Sequence, residues 1–462
     1  MRAAGGTSDC RSTPPGREAP AVSGATPSPS EWAAYDRFYG GLTMRSAGVE
    51  SVVRRGQSRR PLPPTDPGLG QLHDLLDVDV MAEVLTETLP PGRRVSCLRV
   101  RSVAYRPGLA CTVAYRASVG AGTYAVVASA ESRAGAVESR LSRASVAASR
   151  AAGARTIAAS PLSYDARVRA VLGWYPLDSA LPVLARSGPE LRRLVGSESA
   201  STVEPETLVY RPGERAVLRI DGQILKAYAA EAAFRAGARG LDAAQIVQPQ
   251  GSPPMHRVLP DMRVTVQPAL AGRPVERERA VEVAPRAGAL LRAFHDAEVP
   301  DLPTTTPVSS LEAAARSAAL VVAVAPSLVG RVRELLIRLR REAPVTTCGV
   351  VSHGDFNVSQ LLDADDRIVV VDFDEVCRAE PALDVAAYAA NVVSGRPRDL
   401  EYALQALDAA ISGYGHRPRH LRWHLAATLL RRAPSPFRLQ KKDWPDRVAE
   451  IVAAAEAVLQ GA

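Results

Sequence analysis

The sequence predicts an α+β fold in two lobes, a β-rich front lobe with a duplicated β module and a mainly helical rear lobe. Three observations carry this. Residues 70–266 are mostly short apolar segments punctuated by turn residues. Within them, Tyr105-Arg106-Pro107-Gly108 returns 105 residues later as Tyr210-Arg211-Pro212-Gly213. Residues 275–342 and 396–459 are rich in Ala, Leu and Arg and repeat with helical periodicity.

Composition sets the frame. The chain has 462 residues, 46% hydrophobic and 23% charged, which are globular values. No uninterrupted apolar run reaches 18 residues, so no membrane span is expected, and no secretory leader is recognisable at the start. Cys10, Cys97, Cys111, Cys348 and Cys377 are scattered without a C-x-x-C pair; this argues against a zinc site or disulfide framework and fits a reducing cytoplasm. The net charge is +8, yet residues 1–65 hold nine Arg against five Asp plus Glu, so half of the surplus lies in the N-terminal tail. With no basic stripe interleaved with aromatics, no nucleic-acid partner is expected. A monomer or weak homodimer is expected. Of 57 basic residues only Lys226, Lys441 and Lys442 are lysine. A lone Lys226 amid an apolar strand implies a need for a compact ammonium that a guanidinium cannot supply.

Along the chain, residues 1–66 hold eight prolines with Ser, Gly and Arg clusters and read as a disordered tail, or as translation from too early a start codon. Glu31–Tyr39 is the one stretch there with amphipathic character. The β-rich lobe spans 67–266. In each Y-R-P-G copy Pro presets φ and Gly accepts φ > 0, giving a β-turn between strands. The second copy continues through the hairpin turn Asp221-Gly222 into Gln223–Tyr228, which carries Lys226. Aligning the copies sets Val126 opposite Lys226 and Glu131 opposite Glu231. Ala229–Leu241 reads as helix, and Gln245–Val247 and Met262–Val266 as strands. Residues 267–274 form a Pro/Gly hinge, and 275–462 the helical lobe.

One β-rich island interrupts the helical lobe at 349–373. Leu361-Leu362 and Ile368–Val371 should pair as a hairpin about the acidic turn Asp363–Asp366. Gln360 and Asp372 then meet at its open end, beside the loop bearing Asp355. Two carboxylates and a carboxamide there would suit a hard cation such as Mg²⁺.

The order His353-Gly354-Asp355, then Gln360, then Val371-Asp372-Phe373, then Glu380-Pro381-Ala382-Leu383-Asp384 resembles the catalytic and metal loops of the aminoglycoside phosphotransferase/choline kinase family. The hinge, Leu291–His295, and Pro436-Phe437-Arg438 with Asp443-Trp444 are similar to further family segments, so the likeness covers about 205–460. It implies a protein-kinase-like fold and phosphoryl transfer from ATP with Mg²⁺ to a hydroxyl of a small molecule such as a sugar, amino alcohol or aminoglycoside-like compound. By the same resemblance Asp355 is the catalytic base, Asp372 with Gln360 holds Mg²⁺, and Lys226 contacts the α/β phosphates. Glu231 is the nearest partner for Lys226, and Arg215 in the Y-R-P-G turn is placed to close over the phosphates. His353 and Asp384 would brace the catalytic loop. The family has Asn where this chain has Gln360; Asn357 is the substitute ligand, and a catalytically silent binding or regulatory protein is the alternative. Residues 270–350 hold nine acidic residues against eleven Arg, which disfavours a polycationic acceptor.

Overall fold

The computed structural model describes residues 61–132, 156–199, 203–248, 256–345, 349–364, 367–395 and 400–461. The amphipathic stretch Glu31–Tyr39, Cys10, Cys348 and the turn residues Asp365 and Asp366 lie outside them.

Two antiparallel five-stranded sheets form the front of the molecule. The first comprises β1 (Val95–Arg106), β2 (Ala110–Val119), β3 (Gly122–Glu131), β4 (Leu162–Asp165) and β5 (Ala170–Trp174), in spatial order β1-β2-β3-β5-β4. The second comprises β6 (Glu206–Arg211), β7 (Arg215–Ile220), β8 (Gln223–Tyr228), β9 (Arg257–Leu259) and β10 (Val264–Pro268), in order β6-β7-β8-β10-β9. The strand order is the same, so the duplication read from Y-R-P-G extends to a whole sheet. Each turn is also tied down alike. The Asp66 carboxylate accepts from the Tyr105 hydroxyl at 2.6 Å and the Gly108 N–H at 2.7 Å. Asp178 accepts from Tyr210 at 3.1 Å and the Gly213 N–H at 2.8 Å. Gly108 and Gly213 sit at φ of 71° and 68°, where a side chain would be strained. Asp66 is thus a buried anchor rather than part of a loose tail, and Pro61 accepts a 2.9 Å hydrogen bond from the Trp444 indole.

The two copies differ in register from the sequence alignment. Thr112 and Val217 each stand seven residues after the Tyr of their copy; Thr112 faces Ser129 and Val217 faces Lys226. The residue opposite Lys226 in the first copy is therefore Ser129, not Val126. The β2–β3 strands run ten residues and the β7–β8 strands six, and this difference displaced the alignment.

Helices flank and follow the sheets: α1 (Leu72–Leu76), α2 (Val78–Thr86), α3 (Gly188–Val195), α4 (Glu231–Val247), α5 (Ala280–His295), α6 (Pro307–Val324), α7 (Val329–Arg341), α8 (Ala382–Gly395), α9 (Leu400–Tyr414), α10 (Leu421–Arg432), α11 (Ser435–Arg438) and α12 (Trp444–Gln460). Gln245–Val247, expected as a strand, completes α4 instead; three residues are too few to reveal a period. Short strands β11 (Arg273–Pro274), β13 (Leu361–Ala364) and β14 (Arg367–Val370) form one small sheet, and β12 (Val350–Ser352) pairs with β15 (Cys377–Ala379). By length and composition α6 could cross a membrane, but it carries Glu312 and Arg316 and buries Ala314, Ala318, Leu320 and Val321 in the helical core.

One continuous apolar core runs through the first sheet, α1 and α2, and the helices of the rear lobe, joined where the Tyr105 and Phe437 rings meet at 6.2 Å. The second sheet has a separate core with α3, to which Ala114, Ala125 and Val127 of the first sheet contribute. In the rear, α5 and α9 cross so closely that a Cβ on Gly288 would overlap the Ala410 carbonyl, and one on Gly413 would overlap that of Pro285. Overpacking such a contact costs about 1–3 kcal/mol. Gly288→Ala is therefore expected to lower the thermal unfolding midpoint by several degrees; an unchanged midpoint would show that the crossing has room the backbone geometry denies.

Candidate functional site

Lys226 lies mid-strand in β8, directly opposite Val217 of β7 and Thr265 of β10. Side chains facing across an antiparallel pair share a sheet face, so Val217, Ile224, Lys226 and Thr265 form one surface. It ends at the hinge, where Ala269 and Leu270 pack on Leu362, Val369 and Val371 of the rear lobe.

The β13–β14 hairpin runs from the Leu361–Val370 pair to the Ala364–Arg367 pair, leaving Gln360 and Asp372 at its open end as the alternation required. Asp372 takes a left-handed conformation (φ 67°, ψ 57°), unusual for a non-glycine residue, which swings the chain out of β14. Its carboxylate accepts from Lys226 Nζ at 2.6 Å and from the Arg215 guanidinium at 3.1 Å. Asp374, two residues on, accepts from Lys226 at 3.0 Å, Arg215 at 3.0 Å and the Tyr228 hydroxyl at 3.2 Å. Two cations of the second sheet and two carboxylates of the rear lobe thus form one knot across the lobe boundary, with Lys226 15% and Asp372 9% exposed. Burial opposes ionisation of Asp372, but Lys226 and Arg215 overcome it and hold the carboxyl well below its usual range. Burial likewise disfavours the Lys226 charge, and the two carboxylates more than offset it, raising its pKa.

Gln360 donates from Nε2 to Asp372 at 3.4 Å, while its Oε1 is buried without a partner. An orphaned carbonyl oxygen beside two carboxylates fits a hard cation. Asn357, the substitute, is committed to the loop: its Nδ2 donates to the Asp355 carbonyl at 2.6 Å and its Oδ1 accepts from the Ser359 N–H at 2.9 Å.

The loop bearing Asp355 is held from below. Fully buried Asp384 accepts the His353 N–H at 2.7 Å and the Gly354 N–H at 2.9 Å, and lies 3.4 Å from His295 Nε2. Burial pushes the Asp384 carboxyl upward, but the His295 and loop hydrogen bonds prevail and lower it. His353 donates from Nε2 to the Val371 carbonyl at 3.1 Å, which fixes its tautomer and ties the Asp355 loop to the Asp372 strand. Gly354 is doubly required, with φ of 83° and a Cβ position blocked by the Glu375 carbonyl. Gly240 of α4 likewise lies where a Cβ would overlap the Phe373 carbonyl, so α4 rests directly on the turn after Asp372.

Not every expected residue reaches the site. Glu231 is 52% exposed and pairs with Arg235 four residues along α4 at 2.7 Å, because the first turn of that helix points to solvent; Lys226 takes its carboxylates from the rear lobe instead. Arg215 meets those carboxylates through its own side chain. A residue that sequence reading missed is Arg432, at the end of α10, which donates to Asp355 Oδ1 at 2.7 Å. Arg431 lies 3.8 Å from the same oxygen. Nothing in a chain with 54 arginines (57 basic residues less three lysines) singles this pair out.

Residues 208–423 match the family model described as phosphotransferase enzyme family. No curated protein matches the chain. Among solved structures, a choline/ethanolamine kinase family protein from Mesorhizobium loti is 16% identical, with 59% of this chain and 94% of that one covered and a TM-score of 0.44. A choline kinase from Streptococcus pneumoniae is 12% identical, covering 58% and 98%, with a TM-score of 0.44. An aminoglycoside phosphotransferase from Streptomyces rimosus is 19% identical, covering 53% and 97%, with a TM-score of 0.38.

The charge knot makes stability pH-dependent with a definite sign. A carboxyl whose folded pKa lies below its unfolded value of about 3.9 stabilises the fold fully above that pH, and the contribution is lost as pH falls through the folded value. Asp372→Asn should remove part of the acid sensitivity below about pH 4 and cost about 3 kcal/mol or more at neutral pH, because Lys226 and Arg215 then share Asp374 alone. Urea denaturation between pH 2 and 7 reads both effects; a variant as acid-sensitive as the wild type would show that this pair carries none of the dependence.

Proposed function

We propose that the protein is an ATP-dependent kinase that moves the γ-phosphoryl group to a hydroxyl of a small molecule. The observation that carries the proposal is the convergence of Lys226 from the front sheet with Asp372 and the unpartnered Gln360 Oε1 from the rear lobe. A lone ammonium, a carboxylate and a bare carbonyl oxygen at a lobe boundary answer the needs of a polyphosphate and its counter-ion.

Each residue has a role in this reading. Lys226 and Arg215 exchange part of their contact with Asp372 and Asp374 for phosphate oxygens. The face of Val217 and Ile224, with Ala269 and Leu270 at the hinge, offers an apolar berth for a base. Asp372 and Gln360 would hold Mg²⁺, which supplies charge neutralisation to the phosphates when bound. Among the described residues no three His, Cys, Asp or Glu side chains form a self-sufficient metal group, in keeping with a cation completed by phosphate oxygens. Asp355 accepts the proton of the acceptor hydroxyl as its oxygen bonds to the γ-phosphorus and the bond to the β-phosphate oxygen breaks, releasing ADP. The free thiols of Cys97, Cys111 and Cys377 support action in a reducing compartment such as the cytoplasm.

One observation favours the second reading, a catalytically silent binding protein: the Asp355 carboxylate is already held by Arg432. Calorimetry with millimolar Mg·ATP separates the two. Binding that disappears in Asp372→Ala is expected; no binding by the wild type would favour the silent protein. Within the kinase reading, Asp355→Asn should keep nucleotide affinity while turnover falls on the order of 10²–10⁴-fold. Turnover retained in that variant would show that another group is the base.

A further inference from the structure

Resting on the kinase reading, we propose that the acceptor is an anion, a hydroxyl compound that also carries a phosphate or carboxylate group, recognised by arginines of the rear lobe around Asp355. The geometry forces the association. A hydroxyl that gives its proton to Asp355 must come within about 3 Å of that carboxylate. One of the two carboxylate oxygens already takes Arg432 Nη2 at 2.7 Å, with Arg431 Nη2 at 3.8 Å from the same atom. Any acceptor in reach of the base therefore lies against two guanidinium groups, within one or two bonds of its reacting hydroxyl.

These groups are open to a ligand. Arg431 is 35% and Asp355 31% exposed. Arg432 is more deeply set, its Nε buried with no partner, so its planar fork is only half used. Two more arginines lie on or beside the second Y-R-P-G turn. Arg211, exposed in the second Y-R-P-G turn, lies within the fields of both Asp372 and Asp355. Arg438, exposed at the end of α11, faces Glu214 of that turn. Neither makes an ion pair among the described residues. Against these four cations stand Asp355, Glu214 and the exposed Glu375. The acceptor side of the base is therefore net positive, and an amine placed there would meet arginine instead of carboxylate. An anionic acceptor also competes for Asp355's partner: an oxyanion that takes Arg432 Nη2 frees the carboxylate of a competing donor.

The test uses the full chain with Mg²⁺ and a non-hydrolysable ATP analogue, and acceptors that share one hydroxyl scaffold: glucose, glucosamine, gluconate and glucose 6-phosphate. Calorimetry measures analogue binding first and each acceptor second. The anionic members should bind at least about tenfold more tightly than glucose and glucosamine, as expected for one charge-assisted hydrogen bond gained; gluconate and glucose 6-phosphate then tell carboxylate from phosphate. Arg431→Gln and the exposed Arg438→Gln should weaken the anionic acceptor several-fold without changing analogue affinity, and Arg431→Glu should favour glucosamine. No preference for the anions, a preference for glucosamine, or variants that weaken the analogue instead of the acceptor would overturn the proposal while leaving the kinase reading intact. Absence of analogue binding would instead overturn the kinase reading itself, and this proposal with it.

Discussion

A buried ammonium and a buried guanidinium shared between two carboxylates hold the two halves of this molecule in register. Desolvating such charges is expensive, and only dense mutual pairing makes the arrangement tolerable. Lys226 and Arg215 each contact both Asp372 and Asp374, and Tyr228 adds a hydroxyl, so removing any one member leaves charge without its counterpart. A hydrophobic contact in the same place would give more cohesion but no reason to open. The knot gives cohesion that an incoming anion and cation can replace charge for charge, a property the proposed phosphate-binding role requires.

The apolar architecture explains why this burden falls on charge. The main core passes continuously from the first sheet into the rear helices, through Tyr105, Phe437 and Trp444. The second sheet keeps a core of its own. It lies between partners already joined to each other and meets the rear lobe through the knot and through α4, whose Gly240 lets the helix settle on Phe373. The duplicated module thus serves as a brace. Its sheet repeats the second one strand for strand, and its equivalent face, with Thr112, Val127, Ser129 and Val171, lines an open cavity of about 200 Å³ bordered by Asp178 and by Tyr210 and Gly213 of the neighbouring turn. Where the second sheet presents Lys226 the first presents Ser129, so no cation stands at that position in the cavity.

How much of this could be read from the chain follows from the range of each interaction. Chemistry fixed by local spacing was legible: two apolar runs either side of a short acidic link set the β13–β14 pairing and hence the meeting of Gln360 with Asp372, although Asp363 and Ala364, expected in the turn, extend β13 instead, and Pro-Gly dictates both turns of the repeat. Contacts closed by tertiary packing were not. Glu231 was expected beside Lys226 on sequence nearness, but three residues of chain turn it outward to Arg235, and the true partners stand 146 and 148 residues away. Arg432 lies 77 residues beyond Asp355 and is one arginine of many. Gln245–Val247 failed for the opposite reason, an apolar triplet too short to distinguish strand from helix end.

In the proposed reading the site is a compromise between holding Asp355 still and leaving it free to react. Asp384, buried under His353 and Gly354, fixes the loop from beneath through backbone N–H groups, so the Asp355 side chain is positioned without being touched. Asn357 spends both ends of its carboxamide on the same loop, which leaves Gln360 alone with an unsatisfied oxygen. One extra methylene at position 360 thus has a structural counterpart: with the shorter Asn at 357 consumed by bracing, the longer Gln three residues on reaches Asp372. What touches Asp355 directly is Arg432, a charged donor at 2.7 Å. In the proposed reading, rigid support below and a cation above let this carboxylate gain freedom only when an acceptor competes for that cation.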